Sequence, residues 1–361
     1  MSSDGLGKIK AVLEREDVER LRRVGNSGSR VCPACDREYP AESNIVVCEK
    51  DRTLLMKFRG VEKKLDQELA GSLSERRYQV QHFVGEGDLT RVYFANDMQT
   101  WQEVVIKAIK PHLLGTPRRI RRFADALQET TALQHPGIVT VLDSGIAGES
   151  EGSVPQVYFV VEKLKASKNL KTILHQSGPI APYVVIETMV KTCEILDFAA
   201  SKGWLHKDIK PSNIFISLEG EQVAVKVADF GVAERMFHNL EWEGGGNDAV
   251  TRSMYGNAAY IAPEIAFGMG GSRGGGEHTA VSDIYSLGCT MYHVLKGMQP
   301  FEGNNDFDTL LQHGAKPPRA FADELGVPKE LEAIVMKCLS KDPKSRYQDF
   351  GELGRALNGV S

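Results

Sequence analysis

The chain has 361 residues, and 44 lysines and arginines against 48 aspartates and glutamates leave a formal net charge of −4. Hydrophobic residues make up 42% and charged residues 25%, which is the balance of a globular protein with a buried core. Because the charge is near neutral, a dedicated nucleic-acid binder is not expected. No run of about 18 uncharged apolar residues could cross a membrane, and the first ten residues lack the apolar stretch of a secretory signal, so we expect a cytoplasmic location.

Two stretches near the N-terminus have helical spacing. In residues 8–24, apolar side chains recur loosely among charges of both signs, which predicts a helix with one weakly buried side. The same kind of spacing returns over residues 61–74. We therefore predict an N-terminal helical segment over 1–27 and a helical linker over 59–77.

Residues 28–58, between these two segments, contain a cysteine cluster. Three cysteines and an aspartate form a C-x₂-C…C-x₂-D pattern, namely Cys32, Cys35, Cys48 and Asp51. Two cysteines at this spacing form a knuckle that can hold one zinc ion, although an aspartate is a rarer fourth ligand than a cysteine. We predict a small zinc-ribbon-like module that binds Zn²⁺. A metal-free hairpin and a pair of redox-active thiols are the alternative interpretations.

The sequence pattern changes at Tyr78. Alternating, β-rich runs extend to Leu164 and are interrupted by a helical stretch over about 117–133. Beyond residue 168 the chain becomes mostly helical. A strand-rich part followed by a helix-rich part predicts an α+β arrangement of two lobes. We assign residues 78–360 to this one two-lobed domain.

A pair of glycines lies between the first two predicted strands, in the sequence VGEGDLTRVY at 84–93. Gly85 and Gly87 lack side chains, so backbone N–H groups there could approach phosphate oxygens closely, although a plain hairpin turn explains them about as well. The next strand ends in Lys107, a lone cation amid apolar alternation. A buried lysine needs an anion, for which a phosphate is a candidate, whereas a lysine at a sheet edge would reach water.

Three further motifs occur in the second part of the chain. They are LHKDIKPSN at 205–213, ADFG at 228–231 and IAPE at 261–264. Asp208 could accept a hydroxyl proton, and Lys210 could neutralise a phosphoryl group during its transfer. Asn213 and Asp229 offer oxygen ligands of the kind that Mg²⁺ prefers.

In this order, the motifs resemble those of the eukaryotic-type protein kinase family over about residues 78–358. The resemblance implies a bilobal fold with a β-rich N-lobe and a helical C-lobe. It also implies Mg²⁺-dependent transfer of the γ-phosphoryl group of ATP to Ser or Thr hydroxyls of proteins, because Lys210 follows Asp208 in the serine/threonine pattern. Within the family, the sequence resembles the bacterial Hanks-type kinases. A pseudokinase acting as a nucleotide-binding signalling scaffold is the alternative, and a small-molecule phosphotransferase is a third interpretation.

The resemblance assigns roles to residues of this sequence. Contacts with ATP are expected from Val84, Gly85, Glu86, Gly87, Val92, Lys107, Glu162 and Leu164. Asp208 resembles the catalytic base with Lys210 beside it, and Asn213 and Asp229 resemble the Mg²⁺ ligands.

Three more residues resemble structural supports of the family's site. Asp283 resembles the aspartate that braces the catalytic loop from the central helix. Glu264 and Arg346 resemble an ion pair that ties the substrate-side loop to the C-terminal helices. The cysteine segment, in turn, resembles short zinc ribbons at the N-termini of bacterial kinases, in which an aspartate often takes the place of Asp51.

The first-lobe helix departs from the family pattern. The usual glutamate falls on Ala126, so Lys107 lacks its expected carboxylate. Our hypothesis is that Glu129 substitutes for it, because Glu129 lies one turn later on nearly the same face. Asp125 is adjacent in sequence but about 100° around the helix.

Two further positions depart from the family pattern, and the segment between Asp229 and Glu264 carries candidate modification sites. Lysine replaces the usual arginine at Lys207, and Asn257 replaces a threonine. Thr251 and Ser253 are candidate autophosphorylation sites, and self-association of two copies would let one copy phosphorylate the other. The alternative is an unmodified polar loop.

Overall fold

The computed structural model describes most of the chain from Arg77 onward and a few residues before it. The described residues are 4–13, 30–31, 38–39, 73, 77–87, 89–110, 117–147, 155–220, 222–232, 258–267, 278–322 and 325–360. The chain divides into two compact units, one of residues 13–132 and 140–165 and the other of residues 1–12, 133–139 and 166–361.

The N-terminal region contributes one described helix and one pair of short strands. Helix α1 (Asp4–Leu13) buries Ile9 and Val12. Strands β1 (Arg30–Val31) and β2 (Glu38–Tyr39) pair antiparallel. The four predicted zinc ligands lie outside the described residues, as does most of the predicted linker. These ligands are Cys32, Cys35, Cys48 and Asp51.

The first unit is built on a five-stranded antiparallel sheet. Its strands are β3 (Tyr78–Glu86), β4 (Thr90–Asp97), β5 (Glu103–Ile109), β6 (Val141–Ala147) and β7 (Gln156–Glu162). Their spatial order is β3-β4-β5-β7-β6. This sheet confirms the strand-rich first part that the sequence predicts.

Side chains of the central strands alternate between the two faces of this sheet, as the period of a strand requires. Tyr93 on β4 and Val104 and Ile106 on β5 are buried on one face. Leu73, which precedes the sheet, packs into the same apolar cluster. Lys107 is one residue out of step with Ile106 and therefore belongs to the opposite face.

Ionic contacts anchor the start of the sheet. The guanidinium of Arg77 donates to both carboxylate oxygens of Asp97 and holds the pKa of that carboxyl well below its usual range. The hydroxyl of Tyr78 donates to a carboxylate oxygen of Asp143 at 2.7 Å. These contacts tie the start of β3 to the end of β4 and to β6, of which only β6 is distant in sequence.

Helix α2 (Pro117–Thr130) packs against β6 and β7. It buries Ile120, Phe123 and Leu127, which recur at the three- and four-residue steps of one helical face. Asp125 and Glu129 are exposed on this helix. The hypothesis that Glu129 replaces the missing carboxylate stays a prediction.

The second unit is mainly helical. After the short strand β8 (Lys168–Asn169) come helices α3 (Leu170–Ser177) and α4 (Pro182–Ser201), strands β9 (Ile214–Glu219) and β10 (Gln222–Val227), and helices α5 (Pro263–Phe267), α6 (Ala280–Lys296), α7 (Asp306–Ala315), α8 (Lys329–Cys338) and α9 (Phe350–Asn358). The three strands form an antiparallel sheet in the order β10-β9-β8. None of the helices that the structure describes combines the length and apolar character needed to cross a bilayer.

Helix α6 is the centre of this unit, since most of its 17 residues are buried. It begins with a capping box in which the Thr279 side chain accepts from the backbone of Ser282, and it ends at Gly297, whose φ of 82° suits glycine. Adding a Cβ to Gly288 would place it 2.6 Å from the Cβ of Cys338 on α8. Glycine at this position therefore lets α6 and α8 approach closely.

The three cysteines of this unit are small buried residues. Cys193, Cys289 and Cys338 are free and buried. Burial raises the pKa of all three thiols, to about 12 in the case of Cys193. A thiol that stays protonated is a poor nucleophile, so these side chains serve in packing.

Candidate active site

One buried carboxylate holds the loop before β9, residues 205–213, in place. Asp283, in the first turn of α6, accepts the backbone N–H groups of His206 at 2.8 Å and of Lys207 at 2.9 Å. Burial raises the pKa of the Asp283 carboxyl, and the contacts with His206 and Lys207 oppose that rise. The expected contact of Asp283 with this loop is confirmed.

The brace stabilises a strained backbone. Lys207 has a φ of 66°, in the left-handed region that a lysine adopts at a cost of roughly 1–3 kcal/mol. Such a conformation persists where surrounding contacts determine it, and the two hydrogen bonds to Asp283 do so here. The loop therefore presents the residues that follow in one geometry.

His206 is buried and links this loop to the segment after β10. The backbone N–H of Asp208 donates to its Nδ1 at 3.2 Å, so Nδ1 is the acceptor and the proton lies on Nε2. Nε2 then donates to the carbonyl oxygen of Ala228 at 2.8 Å. The His206 ring also packs on Phe230, with ring centroids 4.6 Å apart.

Three predicted site residues meet at this loop. The ammonium of Lys210 lies 3.0 Å from Oδ2 of Asp208, and the side-chain amide of Asn213 donates to the same oxygen at 3.1 Å and to the Asp208 carbonyl at 2.9 Å. Asp208 and Asn213 are buried. The amide nitrogen of Asn213 is thus turned toward Asp208, and its amide oxygen accepts from the Ser212 hydroxyl at 3.4 Å.

Asp229 lies next to this cluster along the backbone. The N–H of Ala228 donates to the carbonyl oxygen of Asn213 at 2.8 Å, so the two segments run side by side. Asp229 has a left-handed φ of 66°. Two oxygen-bearing side chains of the kind that hard divalent cations prefer, Asn213 and Asp229, thus belong to adjacent segments.

A second segment, residues 258–267, belongs to the same unit. Glu264 and Arg346 form two parallel hydrogen bonds of 2.7 and 2.8 Å, which confirms the expected ion pair. The backbone oxygen of Tyr260 accepts from the Ser286 hydroxyl at 2.8 Å, and the Tyr260 hydroxyl lies 2.7 Å from Nδ1 of His293. Burial lowers the pKa of His293 to about 4, so this imidazole is neutral at pH 7.

In the β-rich unit, the glycine pair lies on the hairpin of β3 and β4. Gly85 pairs across the strands with Val92, next to a register shift after Phe83. A Cβ added to Gly85 would meet no heavy atom of the described residues within 4 Å, and its φ is outside the left-handed region. The fold therefore does not itself require glycine at this position.

The remaining predicted residues of this unit lie on the neighbouring strands. Lys107 pairs with Val92 on one side and with Phe159 on the other, and its ammonium is 6.0 Å from the centre of the Phe159 ring. Glu162 ends β7, where its N–H donates to the Thr140 carbonyl at 3.1 Å and its carboxylate accepts the Thr140 N–H at 2.9 Å. Leu164 follows two residues later and is partly buried.

Several contacts were not anticipated from the sequence. Glu86 forms an ion pair with Lys110 at 2.6 Å, which fastens the glycine hairpin to the end of β5. The contacts of Tyr260 with His293 and Ser286 were also missed, because these partners lie 33 and 26 residues away in sequence. For the ion pair of Glu86 with Lys110, the only local signal in the sequence is a predicted turn beside a predicted strand end.

The sequence and fold match one family. A family model described as the protein kinase domain matches residues 78–352. This chain therefore belongs to the protein kinase family. Its sheet-based N-lobe and helical C-lobe confirm the expected bilobal fold.

The similar curated proteins are bacterial serine/threonine-protein kinases. PknB of Mycobacterium tuberculosis is 35% identical over 278 residues, which cover 77% of this chain and 42% of that protein. PknB of Mycolicibacterium smegmatis is 36% identical over 281 residues with the same coverage. The probable PknB of Corynebacterium glutamicum is 31% identical over 295 residues, or 79% and 42% of the two chains. This chain thus spans about 42% of the length of these relatives.

Solved structures show the same fold at lower sequence identity. The PknI kinase domain of Mycobacterium tuberculosis superposes with a TM-score of 0.56 at 20% identity, over 78% of this chain and 96% of that one. Rad53 in complex with AMP-PNP gives a TM-score of 0.59 at 22% identity, over 79% and 65% of the two chains.

Proposed function

We propose that this chain is a serine/threonine protein kinase that uses ATP and Mg²⁺. The observation that carries the proposal is the cluster of Asp208, Lys210 and Asn213 on a strained loop fixed by Asp283. A buried carboxylate with an ammonium 3.0 Å away is suited to accept a proton beside a negatively charged group in transfer. The similarity to bacterial serine/threonine-protein kinases supports the choice of acceptor.

In the proposed reaction, the hydroxyl oxygen of a Ser or Thr side chain forms a bond to the γ-phosphorus of ATP. The bond between that phosphorus and the bridging oxygen breaks, and ADP leaves with the electron pair. Asp208 takes the proton of the hydroxyl group, while Lys210 lowers the electrostatic cost of the charge on the phosphoryl oxygens.

Asn213 and Asp229 would hold Mg²⁺. Their donor set fits this ion, because an amide oxygen and a carboxylate are hard oxygen ligands and the amide nitrogen of Asn213 is turned toward Asp208. When bound, Mg²⁺ supplies charge neutralisation to the phosphates of the nucleotide. In the N-lobe, we assign nucleotide contacts to Val84, Gly85, Glu86, Gly87, Val92, Lys107, Glu162 and Leu164.

One prediction concerns the open space at Gly85. Because an added methyl group would not disturb the described fold, Gly85→Ala should leave the thermal unfolding midpoint unchanged. The methyl group would instead stand between the backbone and the phosphates, so we expect the KM for ATP to rise about tenfold, equivalent to about 1.4 kcal/mol. Steady-state kinetics at varied ATP concentration measure this effect.

Gly7→Ala is the matched control, since Gly7 on α1 also has no heavy atom of the described residues within 4 Å of an added Cβ. It should not change the KM for ATP. An unchanged KM in Gly85→Ala would contradict a role of this hairpin in covering phosphates.

The proposed function itself is tested with the full chain and γ-³²P-labelled ATP. We expect Mg²⁺-dependent labelling of a serine- and threonine-containing peptide library, with phosphoserine or phosphothreonine recovered after hydrolysis. Addition of EDTA should remove the labelling, because the phosphates then lack their counter-ion. Absence of transfer at saturating Mg²⁺ and ATP, or label on tyrosine alone, would contradict the proposal.

Other parts of the proposal rest on sequence pattern. We propose that Cys32, Cys35, Cys48 and Asp51 bind one Zn²⁺ ion, in a protein located in the cytoplasm. We also propose that one copy of the chain phosphorylates Thr251 of an associated copy, with Ser253 as a second site. Like Asn257, both hydroxyl residues lie outside the described residues.

A further inference from the structure

The five-stranded sheet has an outer face, which is the face opposite Lys107, and this face carries a buried apolar cluster. An antiparallel sheet can leave one face in water, but the outer face of this sheet is covered. Its strand residues in the cluster are each at most 3% exposed, namely Tyr78, Tyr93, Ala95, Val104, Ile106, Ala108, Ala147, Tyr158 and Val160.

Strand β7 shows the same cover from both sides. All residues from Gln156 to Val161 are buried, and the near-continuous apolar run of this strand is typical of one that is packed on both faces. Helix α2 packs against β6 and β7. Among the described residues, however, none of its side chains belongs to the outer-face cluster. Helix α2 therefore does not account for the burial of this face.

Leu73 indicates which part of the chain reaches the outer face. Within the part of the chain that the structure describes, it is the one member of the cluster from outside the sheet, and it is fully buried. Leu73 is helical, and its carbonyl oxygen accepts the N–H of Arg77 at 3.0 Å, which is the four-residue step of a helical turn. Because Arg77 is paired with Asp97, this turn is fixed to the start of the sheet.

The sequence before Leu73 continues its apolar side. Val61, Leu65 and Leu69 precede it at four-residue steps, which place neighbouring side chains on one side of a helix. Three such steps spread these side chains over about 120°, the width of a stripe that faces a core. Twelve residues of helix extend about 18 Å, enough to cross four strands spaced about 4.8 Å apart.

We propose that the predicted helix over residues 61–73 covers the outer face of the sheet. Val61, Leu65 and Leu69 pack on the apolar cluster beside Leu73. The cover comes from the same chain, because the face is buried within a single copy and because residues 13–132 form one compact unit with the sheet.

This cover has two consequences for the protein. The folded N-lobe begins well before Tyr78, where the match to the protein kinase domain starts. The outer face is also closed to other proteins, so copies of the chain that associate must do so through another surface.

The test measures the accessibility of one outer-face side chain in the full chain. Ala95→Cys places a thiol where the native side chain is 1% exposed, and Gln79→Cys places one at an exposed position of β3. Each variant is pulse-labelled with iodoacetamide, and peptide mass spectrometry quantifies the alkylation at that residue alone. We expect the thiol at position 95 to react at least about tenfold more slowly, because its reaction requires the cover to open.

Variants of the predicted helix identify the residues of the cover. In the Ala95→Cys chain, Leu65→Ala and Leu69→Ala should each speed alkylation at position 95 about tenfold, since each removes apolar contacts that oppose opening. Gln67→Ala is the matched control, because Gln67 lies about 160° around the helix from Leu69 and should leave this rate unchanged. Without an introduced cysteine, hydrogen exchange of residues 103–109 should accelerate in the same two variants and not in the control.

The labelling rate is also measured over a wide range of protein concentration. A cover from the same chain protects position 95 equally at every concentration, whereas a second copy gives protection that rises with concentration. Such a rise would overturn the proposal in favour of a second copy as the occupant. Equal rates at positions 95 and 79, or rates at position 95 that Leu65→Ala and Leu69→Ala leave unchanged, would overturn it as well.

Discussion

Asp208→Asn should lower the rate of phosphoryl transfer by a factor of about 10²–10⁴, the usual contribution of a positioned general base. Asparagine has nearly the same shape and keeps an oxygen toward Lys210 and Asn213, which lie 3.0 and 3.1 Å from Oδ2 of Asp208. An amide does not accept a proton near neutral pH, however. The loss should therefore appear in kcat, while the KM for ATP changes little.

The loop that holds Asp208 should survive this substitution. Its strained conformation depends on Asp283, which accepts the N–H groups of His206 and Lys207, and these bonds are untouched. We expect the free energy of unfolding to change by about 1 kcal/mol, the scale of one altered hydrogen bond. Single-turnover transfer from γ-³²P-labelled ATP and urea unfolding measure the two quantities separately.

Asp197→Asn is the matched control for that experiment, because Asp197 is an exposed carboxylate on α4. Its transfer rate should equal that of the unmodified chain. If Asp208→Asn retained the full rate, the proton would have to go elsewhere, and the role assigned to Asp208 would be wrong.

Arg346→Leu should destabilise the C-lobe by about 3–5 kcal/mol, the range for breaking one partner of a buried ion pair. The Arg346 side chain is fully buried, and all five of its N–H donors are used. Two bind the carboxylate of Glu264, and three bind the carbonyl oxygens of Ser340, Val281 and Lys341. Leucine would leave a buried carboxylate and three carbonyl groups without these donors.

Urea unfolding followed by circular dichroism measures this loss. Arg346→Lys should recover only part of it, since an ammonium has three donors and lacks the fork that matches a carboxylate. The double variant Glu264→Gln with Arg346→Leu should be less unstable than the sum of the single variants, because the uncompensated charge is gone. Arg355→Leu, at an exposed arginine on α9, should have an effect below about 0.5 kcal/mol.

An effect of Arg346→Leu as small as that of Arg355→Leu would contradict the inferred role of the pair. The Arg346→Leu variant should also bind substrate less well. Glu264 lies in the segment that holds Tyr260, so loss of its partner should also raise the KM for a peptide substrate.

Much of the fold follows from local sequence. The alternation of apolar residues produces β4 and β5, because a strand points successive side chains to opposite faces and only one face is buried here. The helical spacing of Ile120, Phe123 and Leu127 likewise produces α2. Lys107 could be recognised from sequence as a cation within an apolar strand for the same reason.

The chemistry-bearing residues of the catalytic loop could also be recognised, because Asp208, Lys210 and Asn213 lie within six consecutive residues. A loop this short keeps its side chains near one another in almost any compact conformation. Their contacts of 3.0 and 3.1 Å are therefore anticipated by proximity in sequence. The resemblance to protein kinases added the two distant supports, Asp283 and the pair of Glu264 with Arg346.

Only the tertiary structure decides how these supports act. The proton of His206 is placed on Nε2 by a donor two residues away and an acceptor 22 residues away, and no local pattern encodes that combination. The exposed side chains of Phe267, Phe307 and Leu311 likewise belong to two helices. Which apolar side chains remain exposed depends on how completely the surrounding elements cover them, so exposure is a property of the packed chain. The periods of strands and helices and the short catalytic motifs, by contrast, are properties of the sequence.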